Sequence, residues 1–455
     1  MVAEIHDHER VDELLTRALQ RSPSGQAEVL YTARDQALTR FANCRIHQNV
    51  SGHDASLRVR LVDAGRTGVA STNRLDAEGL REVVARAATI REHAAPNPEQ
   101  AALPERDGQI DGMLGYVPAT DQADPDLRAA GARAVIAAGE SSGLNVSGAF
   151  STETSTVAVA NSNGVRGAHT TTQAKLITVM MGERGASGYA QAASGDVRAI
   201  DASAVGEEAA DKALRSADAG DLEPGEYEVI LEEYAVATLL EYLSFDGFSA
   251  LALQEGRSFM ELGQRVMGPN VSIWDDGQDP SGLPSAIDFE GVVKQRVDLV
   301  TEGIATGVVH DAATAQRAAT TSTGHALPSP NPWGPISWNL FMAPGSSSKE
   351  AMLANTERGI WVTRFHYVNI VHPKKAILTG MTKDGTFLIE HGRIVRPLRN
   401  FRFTQSIPEA FSTIDAISSQ TRLIAAEYSG INARVPALRI GRFNFTGVTG
   451  REEGA

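Results

Sequence analysis

Cysteine is almost absent from the sequence: Cys44 is the single one in 455 residues. One thiol excludes an internal disulfide and the paired-cysteine motifs of zinc and redox sites. The sequence also lacks a run of about 18 apolar residues, so it predicts no membrane-spanning helix. The acidic N-terminal residues contain no apolar core, so we expect no secretory signal there. These absences predict a cytoplasmic protein without a membrane partner.

The chain has fewer positively charged residues than negatively charged ones. The 42 Lys and Arg residues face 56 Asp and Glu residues, which gives a formal net charge of −14. A nucleic-acid-binding surface needs clustered positive charge to contact the phosphates. We therefore expect no nucleic-acid partner. The hydrophobic content of 42% and the charged content of 22% are typical of a soluble globular protein.

Several short catalytic motifs are missing from the sequence. It contains no phosphate-binding GxxxxGK[ST] loop, no GxSxG nucleophile elbow and no HExxH zinc helix. Ser346 and Lys349 form an SxxK pair, the spacing of a serine nucleophile and a lysine base. The neighbouring serines and Glu350 instead favour a helix start, because serine caps free N–H groups and an acid complements the helix dipole.

Hydrophobic spacing predicts the main elements of the first half. Apolar residues recur at helical intervals over residues 11–22 and 75–94, and the second helix places them at positions 80, 83, 84 and 87. Residues 56–73 alternate between apolar and polar on both sides of Asp63-Ala64-Gly65. This alternation around turn-forming residues predicts a β-hairpin.

A Pro-Gly turn at residues 224–225 precedes a new predicted strand. We place a domain boundary there, which gives an N-terminal domain over residues 1–222 and a C-terminal domain over residues 223–455. The second domain begins with one long predicted helix at about residues 232–245 and continues with strands, glycine and proline.

Several segments, taken in order, resemble the TldD/PmbA family of peptidase subunits, also called TldD/TldE. They include residues 224–243, Asp275-Asp276 followed by residues 288–291, and the loop over residues 321–326. The resemblance extends from about residue 25 to about residue 445. It implies an α+β fold, in which an N-terminal α/β domain with a mixed sheet and helices precedes a larger β-rich C-terminal domain around a central helix.

TldD-type members of this family carry an HExxxH motif on the central helix, whose histidines bind zinc and whose glutamate activates water. The matching positions here are Glu241, Tyr242 and Asp246. The family's later cysteine is also missing, because Cys44 is the only one. A catalytic zinc needs about three protein ligands and a base for its water. The resemblance therefore implies a degenerate zinc site with no catalytic residue and no metal in this chain.

By this resemblance, the chain is a PmbA/TldE-like subunit that pairs with a TldD-like zinc subunit as a heterodimer. The zinc would reside in that partner, and the complex would cleave unfolded or small peptides, or peptide-like precursors. Our candidates for peptide contacts are His325, Trp338, His366 and Tyr367, which lie in polar and aromatic segments beside predicted strands.

Two alternatives stay open at this point. The chain is an enzyme in its own right if Glu241 and Asp246 join His366 or His372 around another metal, since carboxylates and imidazoles suit several ions. The two histidines lie six residues apart, which places them on one face of a regular strand. In the other alternative, the chain is a subunit of a hydrolase that tailors a peptide-like natural product, as some family members do.

Overall fold

The protein is described here from a computed structural model, over residues 6–23, 25–105, 108, 110–427 and 429–448. These residues form two β-sheets, each with helices packed against it, so the predicted α+β class is confirmed. The boundary predicted at residues 222 and 223 lies between the last helix beside the first sheet and the first strand of the second sheet. None of the helices described is long and apolar enough to cross a membrane.

The first sheet has six strands within the described residues, in the order β3-β2-β1-β4-β5-β6. The strands are β1 (Gln26–Ala42), β2 (Arg45–Asp63), β3 (Arg66–Thr72), β4 (Asn145–Asn161), β5 (Arg166–Met181) and β6 (Ser187–Ser194). Every pairing in this sheet is antiparallel. The predicted mixed sheet in this half is therefore wrong. The physical reason is that short turns, such as the predicted Asp63-Ala64-Gly65, reverse the chain between consecutive strands.

Five helices accompany the first sheet in the described chain. They are α1 (His8–Gln20), α2 (Ala77–His93), α3 (Pro118–Asp121), α4 (Pro125–Glu140) and α5 (Ala202–Arg215). Aspartate side chains accept hydrogen bonds from the first-turn N–H groups of α2, α4 and α5, which fixes where these helices begin. The predicted apolar positions of α2 are all buried, each contributing roughly 1–3 kcal/mol of burial free energy.

The first sheet contains a structural repeat that the sequence did not reveal. Three antiparallel strands and a helix, β1-β2-β3-α2, are followed by an equivalent set, β4-β5-β6-α5, and β1 pairs with β4 at the centre. In each set the last strand carries a glycine against its helix. A Cβ atom would lie 2.0 Å from the Ala87 carbonyl oxygen at Gly68 and 2.1 Å from that of Ala209 at Gly188. Only glycine permits this close approach.

The second sheet has eleven strands among the described residues. They are β7 (Gly225–Leu231), β8 (Ile273–Asp275), β9 (Val297–Thr301), β10 (Ile304–Ala305), β11 (Asn339–Met342), β12 (Arg358–His372), β13 (Ile377–Glu390), β14 (Arg393–Pro397), β15 (Phe401–Ser406), β16 (Ile414–Ala425) and β17 (Asn432–Val448). This sheet is the mixed one, because β7 is parallel to β12 and β11 is parallel to β17. Strands β17, β15, β13, β12 and β7 form a closed ring, since β7 also pairs with β17.

The helices of the second half are α6 (Glu233–Asp246), α7 (Ala250–Gln254), α8 (Ala312–Arg317), α9 (Lys349–Ala354) and α10 (Ile407–Phe411). Helix α6 packs against β12 and β17 and is the predicted central helix. Val236, Leu239 and Leu240 on it have no exposed surface. A helix that is apolar on most sides is stable only when protein surrounds it. Ser348 caps α9, as the serine-rich sequence predicted.

A buried lysine joins the two halves of the molecule. The Lys212 ammonium of α5 lies 2.7 Å from a carboxylate oxygen of Glu208 and 2.7 Å from one of Glu232, the residue that precedes α6. Glu232 also accepts a hydrogen bond of 2.6 Å from the Trp361 indole of β12. Burial alone would lower the pKa of Lys212, but the Glu232 and Glu208 charges outweigh burial and raise it. The lysine therefore stays charged.

Replacing Lys212 with methionine should lower the free energy of unfolding by about 3–5 kcal/mol, because it leaves the buried Glu232 carboxylate without its cation. Urea denaturation measures this change. The matched control is Arg17→Met, which breaks an exposed i,i+4 ion pair with Glu13. We expect a loss of about 0.5 kcal/mol from the control. Equal losses in the two variants would contradict a role for Lys212 in joining the halves.

A second buried ionic cluster links the first sheet to the second half. The Arg60 guanidinium of β2 lies 3.0 Å from Glu290 and 3.7 Å from Glu28 of β1. Burial raises the pKa of Glu28 to about 8, although Arg60 opposes the effect. Burial and the neighbouring Glu290 raise the pKa of Asp288 to about 7. One arginine therefore faces more carboxyl groups than it can neutralise.

The contribution of Glu28 and Asp288 to the free energy of unfolding should fall as the pH rises from about 5 to about 9. A carboxyl group whose pKa is higher in the folded chain than its unfolded value of about 4.3 contributes stability at low pH, and loses it as the pH rises through the folded pKa. Glu28→Gln should reduce this fall, because the amide stays neutral. Urea denaturation at pH 5, 7 and 9 checks the slope. The exposed Glu99→Gln should keep the wild-type slope, and an unchanged slope in Glu28→Gln would refute the assignment.

Candidate functional site

A cavity of about 500 Å³ lies where the two halves of the molecule meet. Its walls come from α6, β12, β6 and the connection between β16 and β17. The polar and aromatic side chains that line it are Tyr189, Gln191, Tyr234, Thr238, Glu241, Tyr242, Arg364, His366, Tyr367, Asn369 and Glu427. A concave site between domains with a few converging polar groups is a common setting for ligand binding.

The structure brings two of the three degenerate zinc positions to this cavity. Glu241 and Tyr242 line it, and Asp246 does not. The Tyr242 hydroxyl donates a hydrogen bond to the Val368 carbonyl oxygen of β12. Asp246, the last residue of α6, forms an ion pair with Arg257. Tyr242 and Asp246 are thus both occupied by structural contacts.

These residues do not fit a catalytic zinc ion. Burial raises the pKa of the Tyr242 hydroxyl, and the Glu241 charge adds to the effect, so the neutral phenol is favoured. The arginine partner of Asp246 competes with any metal for its carboxylate. Across the residues described above, no three His, Cys, Asp or Glu side chains are grouped as a metal site would require.

Two of the four predicted peptide-contact residues line the cavity, namely His366 and Tyr367. Burial lowers the pKa of His366, and the charges of Lys383 and Arg364 lower it further, so its imidazole is neutral at pH 7. Tyr367 is 76% exposed and has a φ of 55°. A bulky residue rarely adopts this left-handed conformation, and such strain tends to occur at functional sites.

The other two predicted peptide-contact residues, His325 and Trp338, lie elsewhere. His325 has no exposed surface, and its ring nitrogens lie 2.8 Å from Asp275 and 2.9 Å from the Thr323 hydroxyl. Trp338 packs against the core of the second half and does not line the cavity. A buried, fully partnered histidine supports the fold and offers nothing to a ligand.

The alternative metal centre is not assembled either. His372 is exposed at the end of β12 and is separated from the cavity-lining His366 by two irregularities in strand pairing. These bulges break the two-residue period on which the shared face depends. The two carboxylates of this alternative are also separated, because Glu241 lines the cavity and Asp246 does not.

Arg364, Tyr189 and Glu427 form a wall of the cavity that the sequence did not identify. Its guanidinium lies 4.1 Å from the centre of the Tyr189 ring and 2.7 Å from the Asp384 carboxylate, which has no exposed surface. It also lies 3.3 Å from Glu427, which accepts a hydrogen bond from Tyr189 at the same distance. These four residues come from β6, β12, β13 and the segment after β16. Nothing in their sequence spacing brings them together.

Comparison with known proteins identifies the family. Residues 27–91 match the PmbA/TldA metallopeptidase domain 1, residues 117–217 match the central domain, and residues 224–447 match the C-terminal domain. The chain belongs to the TldD/PmbA family. The resemblance stated from sequence is therefore confirmed, and the two sets of strands and helix in the first sheet correspond to two separate family domains.

The relatives of this chain differ in sequence identity and in how much of the chain they match. TldE from Thermococcus kodakarensis has the same fold, with a TM-score of 0.86 over 96% of this chain and 100% of that chain, at 19% identity. An uncharacterised protein of Methanocaldococcus jannaschii is 35% identical over 22% of this chain, and the TldD metalloprotease homologue of Haemophilus influenzae is 27% identical over 36%. The matched segments span 24% and 34% of those two relatives.

Replacing Arg364 with methionine should lower the free energy of unfolding by about 3 kcal/mol, because the buried Asp384 loses its cation. Arg364→Lys should lose less, since a lysine keeps the positive charge beside Asp384 although it loses the planar guanidinium contacts with Glu427 and the Tyr189 ring. Urea denaturation of the three proteins checks this order. A methionine variant as stable as the wild type would show that Arg364 does not hold the cavity wall.

Proposed function

We propose that this chain is a non-catalytic subunit that pairs with a TldD-like zinc subunit of the same family. The two chains form a heterodimeric protease that cleaves unfolded or small peptides, or peptide-like precursors. Zinc and the water-activating base belong to the partner. One observation carries the proposal: at the zinc-motif positions of the central helix, the side chains of Tyr242 and Asp246 are engaged in structural contacts.

The chemistry of α6 supports this division of roles. A peptidase zinc site needs ligands that are free to bind the metal and a base with a pKa near the working pH. The Tyr242 hydroxyl donates to a backbone carbonyl and has a raised pKa, so it is a poor base. The side chains that hold Tyr242 and Asp246 in place would have to be displaced before a metal could bind.

The cavity supports a role in holding peptide. It reaches β12 at the bulge that contains Tyr367, where the pairing with β13 is interrupted. An extended peptide that adds to a strand binds through its backbone, without a demand for one sequence. His366 and Tyr367 are the residues that we retain as peptide contacts. The similarity in fold to a protein called TldE favours the same assignment.

Co-expression with a TldD-like zinc subunit should give a complex that elutes earlier than either chain in gel filtration. The complex should cleave an unfolded substrate such as reduced casein, and this chain alone should not, because its described residues hold no set of metal ligands. Asp246→Asn should retain the activity of the complex, since Asp246 lies outside the cavity. Mutation of the partner's zinc-helix glutamate should abolish it. Metal-dependent cleavage by this chain alone, or no complex with any such subunit, would overturn the proposal.

A further inference from the structure

Glu241 is the acidic residue in the cavity whose charge is not matched. Its carboxyl group is half-buried on α6 and accepts a hydrogen bond from the Ser429 hydroxyl. No ion pair involves Glu241 within the described part of the chain, whereas Asp246, one turn further along, has Arg257. A carboxylate removed from water without a cation is unfavourable unless something neutralises it.

The other charges around the cavity do not supply this cation. Arg364 already faces two carboxylates, the fully buried Asp384 and Glu427. Its single positive charge is therefore outnumbered before Glu241 is considered. His366 is neutral at pH 7, because burial lowers its pKa. Lys175 donates to the Ala426 carbonyl oxygen and Lys383 acts on His366, but neither lysine forms an ion pair with Glu241 among the described residues.

Aromatic rings complete the surroundings of Glu241. Tyr189, Tyr234, Tyr242 and Tyr367 line the same cavity. The face of an aromatic ring attracts a cation, and the attraction grows when water is excluded. Tyr189 already uses its ring in this way for Arg364, at 4.1 Å. An uncompensated carboxylate among tyrosine rings is the combination that selects an ammonium group.

We propose that the cavity binds a primary ammonium group of the peptide, and that Glu241 pairs with it. This inference rests on the proposed function and specifies the class of ligand that the cavity takes. The ammonium comes either from the N-terminus of the peptide or from a lysine side chain, and both present the same chemistry to Glu241. Glu427, 30% exposed, adds negative charge to the cavity.

Three tetrapeptide probes with amidated C-termini separate these sources. Free tetra-alanine carries only an N-terminal ammonium, acetyl-Ala-Lys-Ala-Ala carries only a lysine ammonium, and acetyl-tetra-alanine carries no charge. Calorimetric titration into the full chain should show at least one charged peptide binding about tenfold or more tightly than the neutral one, the strength expected of a charge-assisted hydrogen bond. The charged peptide that binds identifies the source.

Glu241→Gln should remove this preference, so that charged and neutral peptides bind equally and the affinity for the neutral peptide is unchanged. The amide has the same shape, and thermal unfolding checks that the variant is folded. Asp246→Asn is the matched control on the same helix and should keep the preference.

The inference is wrong if the neutral peptide binds as tightly as both charged ones, if none of the probes binds to the chain alone or in the complex, or if Glu241→Gln keeps the preference. The pairing with a zinc subunit and the cleavage assay do not depend on these results. A failed charge preference with an active complex would overturn this inference alone, and an absent complex would overturn the proposed function.

Discussion

The buried Lys212 ammonium of α5 pairs with Glu208 of the same helix and with Glu232, which precedes α6, and the contact between the two halves depends on this group. The Glu208 carboxylate also binds Arg422 of β16, 2.9 Å away. Burial would raise the pKa of Glu208, but the charges of Lys212 and Arg422 outweigh burial and lower it to about 2. A buried network of this kind requires each member to stay in place, because a lost partner leaves an unpaired charge.

The same network contacts α6 at the residue where the helix borders the cavity, Tyr234. Tyr234, in the first turn of α6, accepts a hydrogen bond of 3.0 Å from the Gln191 N–H of β6 and donates to Glu208. Its ring meets Tyr189 edge to face, with 5.1 Å between the centres. Both tyrosines line the cavity. The first half thus supplies part of the wall, so the site depends on the contact between the halves.

Local patterns in the sequence predicted elements well and long-range geometry poorly. The helix over 77–93, the hairpin at Asp63-Ala64-Gly65 and the central helix follow from spacing and turn residues, and the structure confirms them. The repeat of strands and helix was missed, because its members share a topology and a glycine contact rather than a visible pattern. The mixed sheet was assigned to the wrong half, since strand direction depends on how the chain returns and not on periodicity.

The candidate site shows the same contrast between local sequence patterns and long-range geometry. Resemblance to the family located Glu241 and Tyr242. The cavity-lining Arg364 and Glu427, and the buried Asp384 that holds Arg364, come from segments distant in sequence. His325 was chosen because a histidine in a polar loop suggests a binding role. Burial by the rest of the fold gave it Asp275 as a partner instead. Whether a particular side chain is buried depends on the complete tertiary structure, so it could not be predicted from the local segment around His325.

The three altered positions of α6 are not equivalent, and the difference explains why a helix without metal ligands keeps a cavity beside it. Tyr242 ties α6 to β12 through Val368, and Asp246 ties its end to Arg257. Both contacts replace any stabilisation that a shared metal would give to the helix and its surroundings. Glu241 forms no ion pair among the described residues. Burial raises its pKa, and the hydrogen bond with Ser429 only partly offsets this effect. Glu241 therefore destabilises the free chain and would stabilise a complex with a bound cation. Its presence in the cavity is better explained by a role in binding than by a role in folding.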